Sequence, residues 1–378
     1  MIYFDHASSS PILPESMQVL KEYCEDCFGN AGAAHRIGRK ADRAKEEARK
    51  KILDLLGLTK THNLIFTSGA TEANNMAIKG IAFNYQNRGK RIISSNGEHA
   101  SVFNTVHQLG EYFGFDVHFI DNKNDGAIYL DELKSLINNE TILLSFMSVN
   151  NETGAKNDLK GIIDIKAKYP KCFLHVDITQ SLGKITFPYE NIDILTASSH
   201  KFGGPKGVGI LLFRKNITFL PLLSGGDQEG GLRGGTENVP GIMAMAKALE
   251  ISLAKQPTFL DNCKKLRERL NEYLTSHPDL YEINSPLDGV PYLFNFSLKL
   301  HKASVILEAL SQKGICVSSI SACAKKKDIP SKALLAAGFD EERSSNALRV
   351  SFGKENTMEE METFISTLDS IMKEVRHR

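Results

Sequence analysis

Lys201 stands in Ser198-Ser-His-Lys-Phe-Gly-Gly-Pro-Lys-Gly207, directly after the apolar run Ile192-Asp-Ile-Leu-Thr196. An amine in a turn of small residues at the carboxyl end of a strand reaches the place where ligands of open α/β sheets bind. Burial there lowers its pKa and favours attack on a carbonyl to give a Schiff base. A single loop lysine is ordinary, so what else collects at that end of the sheet decides the matter. Asp177 follows Cys172-Phe-Leu-His-Val176. A carboxylate there can sit on a pyridinium nitrogen and keep it protonated, so that the ring works as an electron sink. Phe66-Thr-Ser-Gly-Ala-Thr-Glu72 runs strand, glycine turn, helix start, which leaves backbone N–H groups and the Thr71 hydroxyl to grip a phosphate. His99 follows a further strand and offers a heterocycle that can stack on a flat ring. Each residue alone fits a duller role: a capping Asp, a common turn, an exposed His. Together they put polar groups at the carboxyl ends of several strands of one sheet, which is where ligands of α/β folds bind.

The elements that must position these groups follow from the apolar pattern. Leu64–Thr67, Arg91–Ser95, Asp116–Ile120, Thr141–Ser148, Cys172–Val176 and Ile192–Thr196 are near-continuous apolar runs. They alternate with amphipathic stretches over Thr71–Phe83 and Ser101–Phe113. That alternation predicts a mostly parallel sheet covered by helices on both faces. Val208–Phe213 follows the previous strand after a short loop and is expected to be antiparallel. Helices are also expected over Glu15–Phe28 and His35–Leu56. After Pro257 the pattern changes to a charged helix (Asp261–Ser276), then Tyr292–Ser297, a helix, Ile315–Val317, a polar loop, Ala347–Phe352 and a last helix over Thr357–Glu374. The chain is therefore expected to form a large unit over residues 14–256 and a small α+β unit from residues 1–13 and 257–378.

Several of these segments resemble the cysteine desulfurases, class V members of the fold type I pyridoxal-phosphate enzymes. The similarity runs from Tyr3-Phe-Asp-His-Ala-Ser8 to Leu348-Arg-Val-Ser-Phe-Gly353. It is carried by Ser68–Gly80, Val149-Asn-Asn-Glu-Thr-Gly154, His175–Gln180, Ser198–Gly209 and Arg233–Ile242 in that order. It implies an α/β fold with a mostly parallel seven-stranded sheet in the large domain. It also implies that Lys201 is the Schiff-base lysine, that His99 stacks on the ring and shuttles protons, and that Asp177 holds the pyridinium nitrogen. Gln180 then donates to the phenolate oxygen with Asn151 beside it, and Ala70, Thr71, Ser198 and His200 form the phosphate cup. Thr236 reaches the phosphate of a neighbouring subunit, which implies a homodimer. Arg349, helped by Asn30, binds the substrate carboxylate, a task suited to a guanidinium fork. Ser318–Lys327 follows a strand, has no apolar periodicity, and so reads as a loop; by resemblance its Cys323 accepts sulfur from L-cysteine. Lys325, Lys326 and Lys327 would raise the thiolate fraction there. The product would be L-alanine, and the sulfur would pass to an acceptor protein for iron–sulfur cluster assembly or tRNA thiolation. The sequence departs from the family pattern at Ile320 (usually Gly), Gly230 (usually Arg), Ala31 (commonly Pro) and Gly203 (commonly aromatic).

Two other outcomes stay open. One keeps the cofactor with a different reaction, such as selenocysteine lyase or an aminotransferase; an aminotransferase would not need Cys323. The other is a non-catalytic sulfur-trafficking scaffold, against which Lys201, Asp177, His99 and Arg349 all count. The 24% of charged residues nearly cancel to a net +1, so no global charge draws the chain to nucleic acid or an anionic membrane. No apolar run approaches the roughly 18 residues of a membrane span, and the start lacks the features of a signal peptide, which makes the cytoplasm the expected location. Cys24 and Cys27 form a C-x-x-C, but no second pair completes a zinc site, so they read as helix cysteines and no metal is expected.

Overall fold

The computed structural model describes residues 1–123, 126–319 and 330–375. Seven strands form the large sheet in the spatial order His62–Thr67, Gly209–Arg214, Ile194–Ser198, Phe173–Asp177, Thr141–Met147, Arg91–Ser95, Asp116–Ile120. The last five are mutually parallel. Gly209–Arg214 runs antiparallel to both of its neighbours, as its short preceding loop requires. Thr141–Met147 is buried at every position, which explains its unbroken apolar run.

Helices close both faces. One core packs Ile52, Phe66, Leu144, Leu174, Leu195 and Leu249 on one side; another packs Ile65, Met76, Ile81, Ile92, Val106 and Leu211 on the other. The helix Arg36–Leu55 buries Ala41, Ala44, Ala48 and Ile52, one stripe at helical spacing. The expected helix at Asp261 begins earlier, at Gln256, because Pro257 falls in its first turn, where the missing N–H costs nothing.

A separate core collects Phe4, Cys263, Phe294, Ile306, Leu348 and Phe364 around a four-stranded antiparallel sheet. Its strands lie in the order Ser318–Ser319, Ala347–Ser351, Leu293–Leu298, Tyr281–Ile283. The final helix, Met358–Glu374, starts with a capping box between Thr357 and Glu360. The chain's first residues join this part: Ile2–Tyr3 pairs in parallel with Ile315–Cys316, and Asp5 bridges to Ser351. Ser318–Ser319, expected as the start of a loop, is instead a strand paired with Leu348 and Arg349. Two serines carry no apolar pattern that would reveal such a short pairing. Cys323, Ile320 and Lys325–Lys327 lie outside the described residues.

Gly203 departs from an expected aromatic for a visible reason. Its φ is +90°, and a Cβ would lie 2.6 Å from the Leu13 side chain, which fills that space.

Candidate active site

At the carboxyl ends of the parallel strands lies a cavity of about 600 Å³. Lys201 closes a single 3₁₀ turn, Ser199–Lys201, directly after the strand ending at Ser198. Its Nζ donates to the carbonyls of Ala7 and Ser8, each at 2.7 Å. Burial pushes its pKa down to about 8, with the Arg349 charge adding to the effect and Asp5 and Asp177 opposing it. The amine is thereby brought toward its nucleophilic form.

Asp177 ends the neighbouring strand with both oxygens engaged. Oδ2 accepts from Asn74 Nδ2 at 2.8 Å and Oδ1 from the Thr179 N–H at 2.9 Å. Asn74 also donates to Ser101 Oγ at 2.9 Å and accepts from the Thr196 hydroxyl. Because Thr196 spends its proton on Asn74, the 2.9 Å contact with His175 Nε2 needs the proton on His175. His175 Nδ1 then accepts from Ser145 Oγ at 2.8 Å. Burial lowers the His175 pKa to about 4, consistent with this neutral tautomer. A buried hydrogen-bond chain thus sits beneath Asp177.

His99 caps the helix Ala100–Phe113 through Nδ1, which accepts from the Ser101 N–H at 3.2 Å. Burial lowers its pKa; Asp177 pulls the other way and Lys201 adds to the lowering, so the ring is neutral on the cavity wall. Gly69, Ala70 and Thr71 line the cavity at the start of the helix Ala70–Tyr85. That strand-to-helix turn presents unpaired N–H groups. Glu72 is a carboxylate in the same turn. Burial pushes its pKa up, but the Arg233 fork, with Nε–Oε1 at 2.8 Å, and the Ser68 N–H outweigh this and hold it low. Ser198 and His200 also line the cavity, and burial followed by Lys201 and Lys206 takes His200 down to about 4.

Arg349 enters from the antiparallel sheet. Nη1 donates to the Asn151 carbonyl at 2.9 Å, and Nη2 to Asp5 Oδ1 at 2.9 Å and Ser8 Oγ at 2.6 Å. Its Nε, and Thr179 Oγ1 on the same cavity, are buried with no partner among the described residues.

The cavity therefore brings together Lys201, His99, Asp177, Gln180, Ala70, Thr71, Asn151, Ser198, His200 and Arg349. Gln180 lines it, but its Nε2 donates to the Ala7 carbonyl at 2.9 Å. Asn30 and Thr236 are exposed and off the cavity wall; Asn30 Oδ1 accepts from the Gly32 N–H at 2.9 Å. Sequence reasoning missed Asn74, Glu72, Ala7 and Ser8. Asn74 carried a signal, since it lies one helical turn beyond Ala70 on the same helix. Ala7 and Ser8 act through backbone carbonyls, which no residue type announces.

A sequence model of the class-V aminotransferases matches residues 2–364. The chain belongs to the class-V aminotransferase family. Among its relatives, a NifS/IcsS protein homologue of Lactobacillus delbrueckii subsp. bulgaricus is 38% identical over 376 residues, covering 98% of this chain and 97% of the relative. A cysteine desulfurase IscS of Dictyoglomus turgidum is 36% identical over 379 residues, covering 99% and 95%. A solved NifS-like protein superposes with a TM-score of 0.92 at 33% identity, covering 99% of this chain and 100% of that one. A solved structure of SspA in complex with cysteine reaches a TM-score of 0.79 at 32% identity, covering 93% and 99%. Class-V aminotransferases depend on pyridoxal phosphate, and the donor set fits that group. The cavity offers an amine of lowered pKa, a carboxylate fixed from below, a neutral imidazole, an open helix N-terminus and two idle buried polar atoms.

Proposed function

We propose that the protein is a cysteine desulfurase that carries pyridoxal phosphate, releases L-alanine from L-cysteine and leaves the sulfur as a persulfide on Cys323. The observation that carries this is the convergence of Lys201, Asp177, His99 and Arg349 on one cavity. Pyridoxal phosphate, when bound, supplies an electron-withdrawing ring that acidifies the substrate's α-carbon. Lys201 would hold it through the amine, Asp177 at the ring nitrogen, and His99 at the ring face. Gln180 and Asn151 would flank the ring oxygen, with Ala70, Thr71, Ser198 and His200 around the phosphate. Arg349 orients L-cysteine by its carboxylate, using the guanidinium fork and the idle Nε. Lys201, its pKa lowered to about 8, and the neutral His99 can take and return protons on the substrate. The Cys323 thiolate attacks the substrate sulfur. The carbon–sulfur bond breaks, a sulfur–sulfur bond forms, and protonation of the carbon fragment gives alanine.

The active form would be a homodimer in which Thr236 of each subunit reaches the phosphate of the other, with Asn30 assisting Arg349. A cytoplasmic acceptor protein, an iron–sulfur scaffold or a tRNA-thiolation enzyme, would collect the sulfur. Incubating the purified protein with L-cysteine and a thiol reductant should yield sulfide and alanine in equal amounts. Pyruvate and ammonia in place of alanine would overturn the assignment.

A further inference from the structure

Lys184 is a lysine inside the protein that the proposed reaction does not use. It is 6% exposed, and its electrostatic neighbours include Lys201, Arg349 and Lys354, all cations. No carboxylate stands among these electrostatic neighbours in the described residues, and burial takes the Lys184 pKa down to about 7. A buried cation placed among cations costs stability, so packing alone does not account for it. Its geometry does. Nζ lies 3.4 Å from Gln180 Oε1 and 5.0 Å from the centre of the Tyr292 ring. Tyr292 in turn donates its hydroxyl to the Gln180 carbonyl at 2.7 Å, so side chain and backbone of Gln180 are held together. The other end of the Gln180 amide, Nε2, donates to the Ala7 carbonyl, the same oxygen that receives Lys201.

A glutamine side chain has an oxygen end and an NH₂ end of nearly the same shape. The Ala7 carbonyl can only accept and so takes the NH₂ end, while the Lys184 amine, 3.4 Å from Oε1, donates to the oxygen end. The reverse would set an amide oxygen against the Ala7 carbonyl and, whenever Lys184 is protonated, an NH₂ against an ammonium, two mismatches in a dry site.

We propose that Lys184 is a positioning residue for the reaction: through Gln180 it fixes the amide end presented beside Lys201. This rests on the function proposed above. It assigns the orientation of a cavity-lining donor to a residue behind the cavity wall, four positions further along the chain.

The test uses the cofactor-loaded enzyme and compares wild type, Lys184→Met, Gln180→Ala and the double variant. Lys184→Met should displace the visible absorption band of the bound cofactor in the same direction as Gln180→Ala. It should also lower kcat about tenfold, the worth of one hydrogen bond to a charged group, with KM for L-cysteine changed far less. The double variant should be no worse than Gln180→Ala, because both act on one interaction. Thermal stability of Lys184→Met should hold or rise, since a buried cation is replaced by an apolar chain of similar length. A lower melting temperature with an unmoved band would mean a structural lysine and overturn the proposal. So would additive losses in the double variant, or a Lys184→Met enzyme indistinguishable from wild type. A wild type with no visible band at all would overturn the desulfurase assignment itself, and the failure would then show in the parent rather than in the variant.

Discussion

The two walls of the cavity are built on different principles. On the sheet wall, Asp177 rests on Asn74, Thr196, His175 and Ser145, a buried chain in which each hydrogen's position follows from the next. On the opposite wall, Arg349 is held by a carboxylate and a hydroxyl from the N-terminal segment and a carbonyl from the Asn151 loop, and one N–H is idle. The first arrangement is neutral beneath its functional group and fixes protonation states. The second is a charged cluster whose partners a ligand carboxylate can exchange. Lys201 joins them, since it grows from the sheet wall while its amine is caught by Ala7 and Ser8 of the other. A cofactor is thus expected to meet a preformed surface, and a substrate an adjustable one.

Breaking the link between the walls should have the largest effect. Lys201→Ala should lose the borohydride-reducible cofactor linkage and at least about 10⁴-fold in turnover, as removal of a covalent catalytic group does. A peptide map that places the reduced cofactor on another lysine would refute the assignment. In the wild type, the amine is protonated below pH 8 and neutral above it, because burial has lowered its pKa to about 8. The rate at which added cofactor becomes linked should therefore rise with pH up to about 8 and then level; a rate flat from pH 6.5 to 9 would contradict the geometry.

Cys323→Ser separates binding from sulfur transfer. The sheet wall and Arg349 are untouched, so L-cysteine should still change the cofactor spectrum. Sulfide release should nearly vanish, because a serine hydroxyl cannot accept a sulfane sulfur. Three of the other cysteines are poor substitutes: burial pushes the pKa of Cys27 up and takes the thiols of Cys172 and Cys263 above the physiological range altogether. Mass spectrometry after one turnover should find the added sulfur on the peptide containing Cys323. Sulfide release at the wild-type rate would point to lyase chemistry that needs no enzyme thiol.

The contrast between the walls also explains what was legible in the sequence. The sheet wall was readable because its residues come in contiguous motifs at strand ends, and Arg91–Ser95 and Asp116–Ile120 form the strands expected of them. The opposite wall is assembled from residues more than 300 positions apart, such as Asp5 and Arg349. Nothing in local periodicity announces that pairing, and the contribution of Ala7 and Ser8 is backbone oxygen. The orientation of Gln180 was likewise invisible, since it depends on Lys184 and Ala7 and not on the motif that contains it.

On the opposite wall, Arg349→Lys should raise KM for L-cysteine by about 10- to 100-fold, from the loss of a bidentate charge-assisted contact. The rate at saturation should change far less, because Lys201 and Asp177 remain in place. Equal loss in both parameters would mean that Arg349 also shapes the sheet wall.

The smallest and sharpest effect is expected at Asp5. Its carboxylate, 2.9 Å from Arg349 Nη2, partly neutralises the charge that a substrate carboxylate must find. Asp5→Asn keeps a hydrogen-bond acceptor at that place and removes the competing charge. The Asp5 side chain is 20% exposed, so solvent moderates the pair, and the change should be worth under about 1 kcal/mol. KM for L-cysteine should then fall by about two- to fivefold. Asp5 also raises the Lys201 pKa, so in the variant the pH at which cofactor loading levels should move downward. The two shifts have one cause and should appear together. If KM rises instead, Asp5 holds Arg349 in place rather than competing for it, and the opposite wall is as preformed as the sheet.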